Sequence, residues 1–140
     1  MTATVVLAVI VAVVASTVVI ARRRWLIVEV SGESMLPTLQ PGQRIRVLRH
    51  PPALIRRGDI VVVEPLTRPG MTAPRTIKRV VAVTGDPVPP SCVGALRAED
   101  PAVVPVGSVV LLGDNPEYSY DSRQFGYVPL TRISAIAAAV

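Results

Sequence analysis

Trp25-Leu26-Ile27-Val28-Glu29-Val30, followed by Ser31-Gly32-Glu33-Ser34-Met35-Leu36-Pro37-Thr38-Leu39, is the stretch on which the reading of this chain turns. An apolar run of strand length stops abruptly, and a small hydroxyl follows it with two large apolar residues behind. Trp25 to Val30 reads as a buried strand. Gly32 lets the backbone approach a bound partner closely, and Pro37 restricts Leu36 to an extended conformation, so the turn that carries Ser34 is stiff at both ends. A hydroxyl on a rigid turn suits in-line attack, which makes Ser34 a candidate nucleophile. Serine between glycine and proline is ordinarily a plain turn, so a base must lie nearby to give it another meaning.

The base is suggested by the inventory of cations. Of the 15 Lys and Arg residues, Lys78 is the only lysine. Arginine keeps its proton at any working pH, whereas a lysine loses it when apolar surroundings penalise the charge. Lys78 lies in Thr76-Ile77-Lys78-Arg79-Val80-Val81-Ala82-Val83, and strand alternation puts Val80 and Ala82 on its face, where they would desolvate it. Taken alone, a lysine in such a strand is more simply a surface residue on a sheet edge.

Outward from these two segments the pattern is β. Ile60 to Glu64 and Val109 to Leu112 are short apolar runs, and Arg44-Ile45-Arg46-Val47 alternates. Pro41-Gly42, Gly58-Asp59, Pro69-Gly70 and Gly85-Asp86 punctuate them as turns. No long 3.6-residue period follows residue 24, so the expectation is a mostly antiparallel β-domain, with one short turn near Pro52 to Ile55. Thr131 to Val140 is too brief to span a bilayer and reads as a closing strand. Pro87 to Pro90 and Glu99 to Pro105 bound a loop or small β-ribbon that carries the single cysteine, Cys92.

The N-terminal segment is different. Ala3 to Ala21 is an uncharged run of apolar and small residues, and about 20 helical residues span a bilayer core. Nothing basic precedes it and Arg22-Arg23-Arg24 follows, as in a retained anchor. Residues 1–24 are therefore expected as a transmembrane helix and 25–140 as one β-rich domain. The 140-residue length allows a single core. Half of the residues are hydrophobic and the mean hydropathy is +0.48, with the excess concentrated at the start. A net charge of +5, carried by scattered arginines, suits anionic lipid headgroups. Aromatic residues are 4% and no stacking platform is visible, which disfavours nucleic acid.

Together the segments resemble the type I signal peptidases, membrane-bound endopeptidases with a Ser/Lys dyad. Ser31 to Leu39 looks like the nucleophile box, Gly58-Asp59-Ile60-Val61-Val62 like the next strand box, and Ile77-Lys78-Arg79-Val80-Val81 with Gly85-Asp86 like the lysine box. Gly113-Asp114-Asn115-Pro116-Glu117-Tyr118-Ser119-Tyr120-Asp121-Ser122-Arg123-Gln124-Phe125-Gly126 fits the closing pattern almost throughout. The resemblance implies a small antiparallel β catalytic domain of the signal peptidase and self-cleaving repressor type. It implies Ser34 as nucleophile, Lys78 as general base, Ser119 as the residue that orients Lys78, and Asp121 with Arg123 as a structural ion pair. It also implies an extended peptide substrate with small residues before the cut. Gly32, Met35, Leu39 and Ile77 are the expected substrate-binding residues, with core packing an equal alternative for the last three.

Substrates would be precursor proteins or leader peptides at a bilayer, without nucleic acid, cofactor or metal. Either general signal-peptide removal or maturation of one co-encoded partner fits, and so does an anchored β-domain that binds peptides without cutting them. The resemblance implies an extracytoplasmic catalytic domain, whereas Arg22 to Arg24 would favour the cytoplasmic side.

Competing chemistries lack residues. One histidine, His50, and one cysteine cannot make a four-ligand zinc site, and a Ser-His-Asp triad would depend on His50 in an apparent loop. No serine stands three before Lys78, as a penicillin-binding-type motif requires. A carboxylate pair built on Asp114 and Asp121 is conceivable, but both belong to the block that the Ser/Lys resemblance accounts for.

Overall fold

The computed structural model describes residues 2–49, 55–65, 74–92, 94 and 103–138, with the side chains of 2–4 and 20–23 left aside. His50, most of the turn expected near Pro52 to Ile55, Pro69-Gly70 and the stretch from Glu99 to Ala102 lie outside the described residues.

α1 (Thr2–Arg24) leads directly into β1 (Trp25–Glu29). β2 (Arg44–Arg49), β3 (Ile60–Val63), β4 (Thr76–Ala82), β5 (Ser108–Leu112), β6 (Val128–Pro129) and β7 (Ile133–Ala137) follow, with a four-residue α2 (Ser122–Phe125) between β5 and β6. All seven strands form one antiparallel sheet in the order β1-β2-β7-β3-β4-β5-β6. The mostly antiparallel β expectation therefore holds.

Alternation explains how the sheet packs. β3 is buried on both faces: Ile60 and Val62 join Val30, Met35, Leu39, Ile45, Val47 and Ala135 in one cluster. Val61 and Val63 instead join Val80, Val109, Leu111, Val128 and Ile133 in a second. A third, smaller cluster gathers Ala82, Cys92, Val104 and Val110. A strand flanked by apolar layers on both sides reads as a continuous apolar run, as Ile60 to Val63 does.

Three expectations change. Trp25 to Val30 is not a buried strand, because β1 is an edge that pairs with β2 alone and only Leu26 and Val28 of its side chains turn inward. The C-terminal segment does not close the sheet: β7 lies in mid-sheet between β2 and β3, with its partners far away in sequence. Helix is not confined to the N-terminus, since α2 and the 3-10 turns Pro90–Cys92, Pro116–Tyr118 and Leu130–Arg132 are each too short to show a period. Pro87 bridges Val103, so the 87–105 segment does have a ribbon-like closure.

The apolar side chains of α1 point outward, from 47% exposure at Val18 to 62% at Val5 and Leu7. Among the described residues, no helix is long and apolar enough to cross a membrane; the side chains described in α1 are those of 5–19 and Arg24.

Candidate active site

Ser34 follows the end of β1 on a compact turn. The Leu36 N–H donates to the Glu33 carbonyl at 3.1 Å, and the Leu39 N–H donates to the Met35 carbonyl at 2.9 Å. Met35 (1% exposed) and Leu39 (0%) belong to the first core cluster. They pin the turn from below and are not walls of the cavity beside Ser34, because apolar side chains that can reach the main core bury themselves there. Gly32 is at φ +81°, a conformation that a side chain would strain, and a Cβ there would meet nothing within 4 Å. Backbone conformation, and not crowding, requires that glycine.

Lys78 is 3% exposed, in the row Lys78, Val80, Ala82 that alternation foresees. Among the described residues it makes no ion pair. Burial pushes its ammonium below the ordinary lysine range; Asp121 opposes that shift and Arg123 reinforces it. Asp121 does not neutralise Lys78 directly, because its carboxylate is already taken.

Asp121 is fully buried and accepts five hydrogen bonds. They come from the Gly113 N–H at 2.8 Å, the Ser119 hydroxyl at 2.5 Å, the Arg123 N–H at 3.1 Å, and Arg123 Nε and Nη2 at 2.9 and 2.6 Å. Burial alone would raise its pKa, but Arg123, the Gly113 N–H and Ser119 outweigh it and hold the carboxyl at about 2. The same carboxylate caps α2, with Gln124 completing a capping box. The Asp-Ser-Arg triplet is thus a buried two-pronged pair and not an exposed turn.

Gly113 joins the parts. A Cβ built there would collide with the Ser119 side chain and lie 2.6 Å from the Ser34 carbonyl oxygen. The Asn115 N–H donates to that carbonyl at 2.9 Å. Leu112, the preceding residue, pairs with Arg79, the neighbour of Lys78. The Ser34 turn, the Ser119 loop and the lysine strand therefore converge at the end of β5.

Arg79 is a second tie. It grips Asp114 with Nε and Nη2 at 2.8 and 2.7 Å, and reaches the Gly58 carbonyl at 3.0 Å and the Thr38 hydroxyl at 3.4 Å. Burial would raise the Asp114 pKa, yet Arg79 and Thr38 hold it below the ordinary value. Asp114 and Asp121 are each committed to a different arginine, whereas a carboxylate-pair protease needs two acids that share one proton. Sequence reasoning missed Gly113 and Arg79 as individuals. The triplet Gly113-Asp114-Asn115 was visible as a motif, but close backbone approach leaves no mark on composition.

A cavity of about 140 Å³ opens beside Ser34, lined among others by Val28, Ser31, Val62, Arg75 and Ile77. Of the expected substrate-binding residues, Ile77 is the one that borders it. Among the described residues, no group of three His, Cys, Asp or Glu side chains could hold a metal.

An antiparallel β-domain that gathers four sequence blocks around a serine turn and a buried lysine defines a class already suggested by the motifs. The chain belongs to the family described as signal peptidase, peptidase S26, whose model matches residues 1–92 and 90–140. It is 33% identical over 109 residues to mitochondrial inner membrane protease subunit 1 of Schizosaccharomyces pombe, covering 75% of this chain and 66% of that one. Mitochondrial ATP-independent inner membrane protease subunit 1b of Arabidopsis thaliana is 39% identical over 106 residues, covering 70% and 59%. Signal peptidase I of Leptolyngbya laminosa is 33% identical over 129 residues, covering 74% and 62%. The chain thus spans less than two-thirds of the length of each of these relatives.

Proposed function

We propose that this chain is a membrane-anchored serine endopeptidase that removes signal or leader peptides from precursor proteins by a Ser34/Lys78 dyad. One observation carries the reading: a lysine buried among valines, with no ion pair among the described residues, on the strand next to the loop that Gly113 bolts to the Ser34 turn.

In this mechanism neutral Lys78 takes the Ser34 hydroxyl proton as Ser34 Oγ attacks the scissile carbonyl. It returns the proton to the departing amine, and then serves as base for the water that hydrolyses the ester. The Ser119 hydroxyl already donates its hydrogen bond to Asp121, so it can offer the Lys78 amine only lone pairs. Accepting an amine N–H there would hold the amine in place and leave its lone pair for the Ser34 proton. The Ser34 backbone N–H is the obvious oxyanion donor, and Gly32 supplies no side-chain donor two residues before.

Residues 1–24 act as the anchor and 25–140 as the peptidase domain, held at the membrane surface. An exposed apolar helix running straight into β1 supports that arrangement. The β-domain works on the extracytoplasmic side.

Purified wild type should cut leader peptides, and Ser34→Ala and Lys78→Met should not, with unchanged far-UV circular dichroism. Cleavage that survives either substitution refutes the dyad. A wild type that binds leader peptides in extended form and never cuts them would establish the peptide-binding module instead. Processing of a single precursor, measured by which precursors accumulate on depletion, would identify a dedicated maturation protease.

A further inference from the structure

Lys78 is buried, and the two charges that act on it besides, Asp121 and Arg123, belong to one short piece of chain. Asp121 is the N-cap of α2 and Arg123 lies in its single turn. Ser119 precedes the cap by two residues and donates to the same carboxylate. Whatever holds α2 therefore holds the surroundings of the Lys78 amine. A helix of four residues cannot hold itself, because one turn closes too few hydrogen bonds to offset the cost of ordering it.

α2 packs mainly against two elements, β5 and the 3-10 turn Pro90–Cys92. β5 is tied to it by the Ser122 hydroxyl, which accepts from the Leu111 N–H at 2.9 Å. The turn comes from the 87–105 segment, which the dyad itself does not use. That segment is fastened to the end of β4. The Val104 N–H donates to the Asp86 carbonyl at 2.8 Å, the Gly85 N–H donates to the Val104 carbonyl at 2.9 Å, and Pro87 bridges Val103. Cys92, 1% exposed, and Val104, 2% exposed, share a core cluster with Ala82 of β4 and Val110 of β5. Leu112, next to Gly113, packs on the same cluster. Burial pushes the Cys92 thiol above its ordinary range, and Asp121 and Arg123 are near enough to act on it, so a neutral thiol stands beside the ion pair.

We propose that the Pro90–Cys92 turn is a positioning element for the Lys78 amine: packed on α2, it keeps the Asp121 cap and the Ser119 hydroxyl in place, with Cys92 the positioning residue that sets the spacing. Truncating Cys92 opens a gap into which α2 settles. The Ser119 loop then moves with its cap, and water reaches the amine. The inference deepens the dyad reading and rests on it for the kinetic readout alone.

Lys78 is the one lysine of the chain, so lysine-selective 13C labelling gives a single side-chain signal to titrate by NMR in the full chain in detergent. Cys92→Ala should raise the midpoint of that titration by about one pH unit, since returning water relieves the burial that favours the neutral amine. On a leader peptide its kcat should fall about tenfold with KM little changed, because among the described residues the cavity beside Ser34 takes no wall from the 87–105 segment. The pH limb of kcat/KM should move with the midpoint. Cys92→Val, which refills the space with an apolar side chain, should return both towards wild type. A loss of folded protein alone would lower activity and move neither midpoint nor limb. Val104→Ala, on the other arm of the ribbon, should shift the midpoint in the same direction, and it decides the matter should Cys92→Ala not fold. An unmoved midpoint in the folded variant overturns the proposal, whether or not peptides are cut. A wild type that cuts no peptide sinks the peptidase reading, and the titration still decides the role of the turn.

Discussion

Lys78 is buried on the β4 face that it shares with Val80 and Ala82, and burial favours its neutral form. The folded state therefore binds fewer protons than the unfolded chain in the window from the lowered value up to 10.5, so stability rises with pH across that window. Lys78→Met should erase this alkaline rise in a Tm against pH series while abolishing cleavage. In wild type, kcat/KM should climb with pH on a limb that lies below the ordinary lysine range. Asp121 works with the opposite sign. Its depressed pKa contributes roughly 2 kcal/mol that is present above 3.8 and lost as pH falls from there through about 2. Asp121→Ala, which leaves Arg123 partly buried without its partner, should cost about 3 to 5 kcal/mol in urea unfolding.

At the scale of elements, the end of β5 decides whether the site exists. Gly113→Ala introduces a methyl where the Ser119 side chain and the Ser34 carbonyl already stand, so the turn and loop must separate. Overpacking of this kind costs about 1 to 3 kcal/mol. The effect on kcat/KM should be larger, about a hundredfold, because small displacements of positioned groups are severely penalised. Equal cleavage by Gly113→Ala and wild type would show that the two segments need not touch. β4 contributes differently: its bulge between Val80 and Ala82 falls just past Lys78, where its pairing with β5 shifts register. The strand is thus regular over the lysine and irregular immediately after it.

For the whole molecule, the proposal gives residues 1–24 and the β-domain separate tasks. Full-length chain mixed with lipid vesicles should resist carbonate extraction, whereas residues 25–140 alone should stay in the supernatant. Protease added outside right-side-out vesicles should then digest the β-domain if it is extracytoplasmic, and protection would reverse that orientation. The cationic surface contributes in addition: Arg46 stacks over Trp25 at 4.7 Å next to the end of α1, an arrangement suited to a membrane interface.

Much of this was legible in the residues themselves. The strands announced themselves by alternation and short apolar runs, the buried lysine by being the one lysine, and the Asp121–Arg123 ion pair by its place in a motif. Those signals are local, because side-chain period and titration chemistry are properties of a residue and its near neighbours. Only the tertiary structure could put β7 in mid-sheet, draw Met35 and Leu39 into the core, bring Gly113 against both Ser34 and Ser119, and commit Asp114 to Arg79. Each of those depends on contacts between segments distant in sequence, where pairing energy and packing volume, and no pattern within either segment, select the partner.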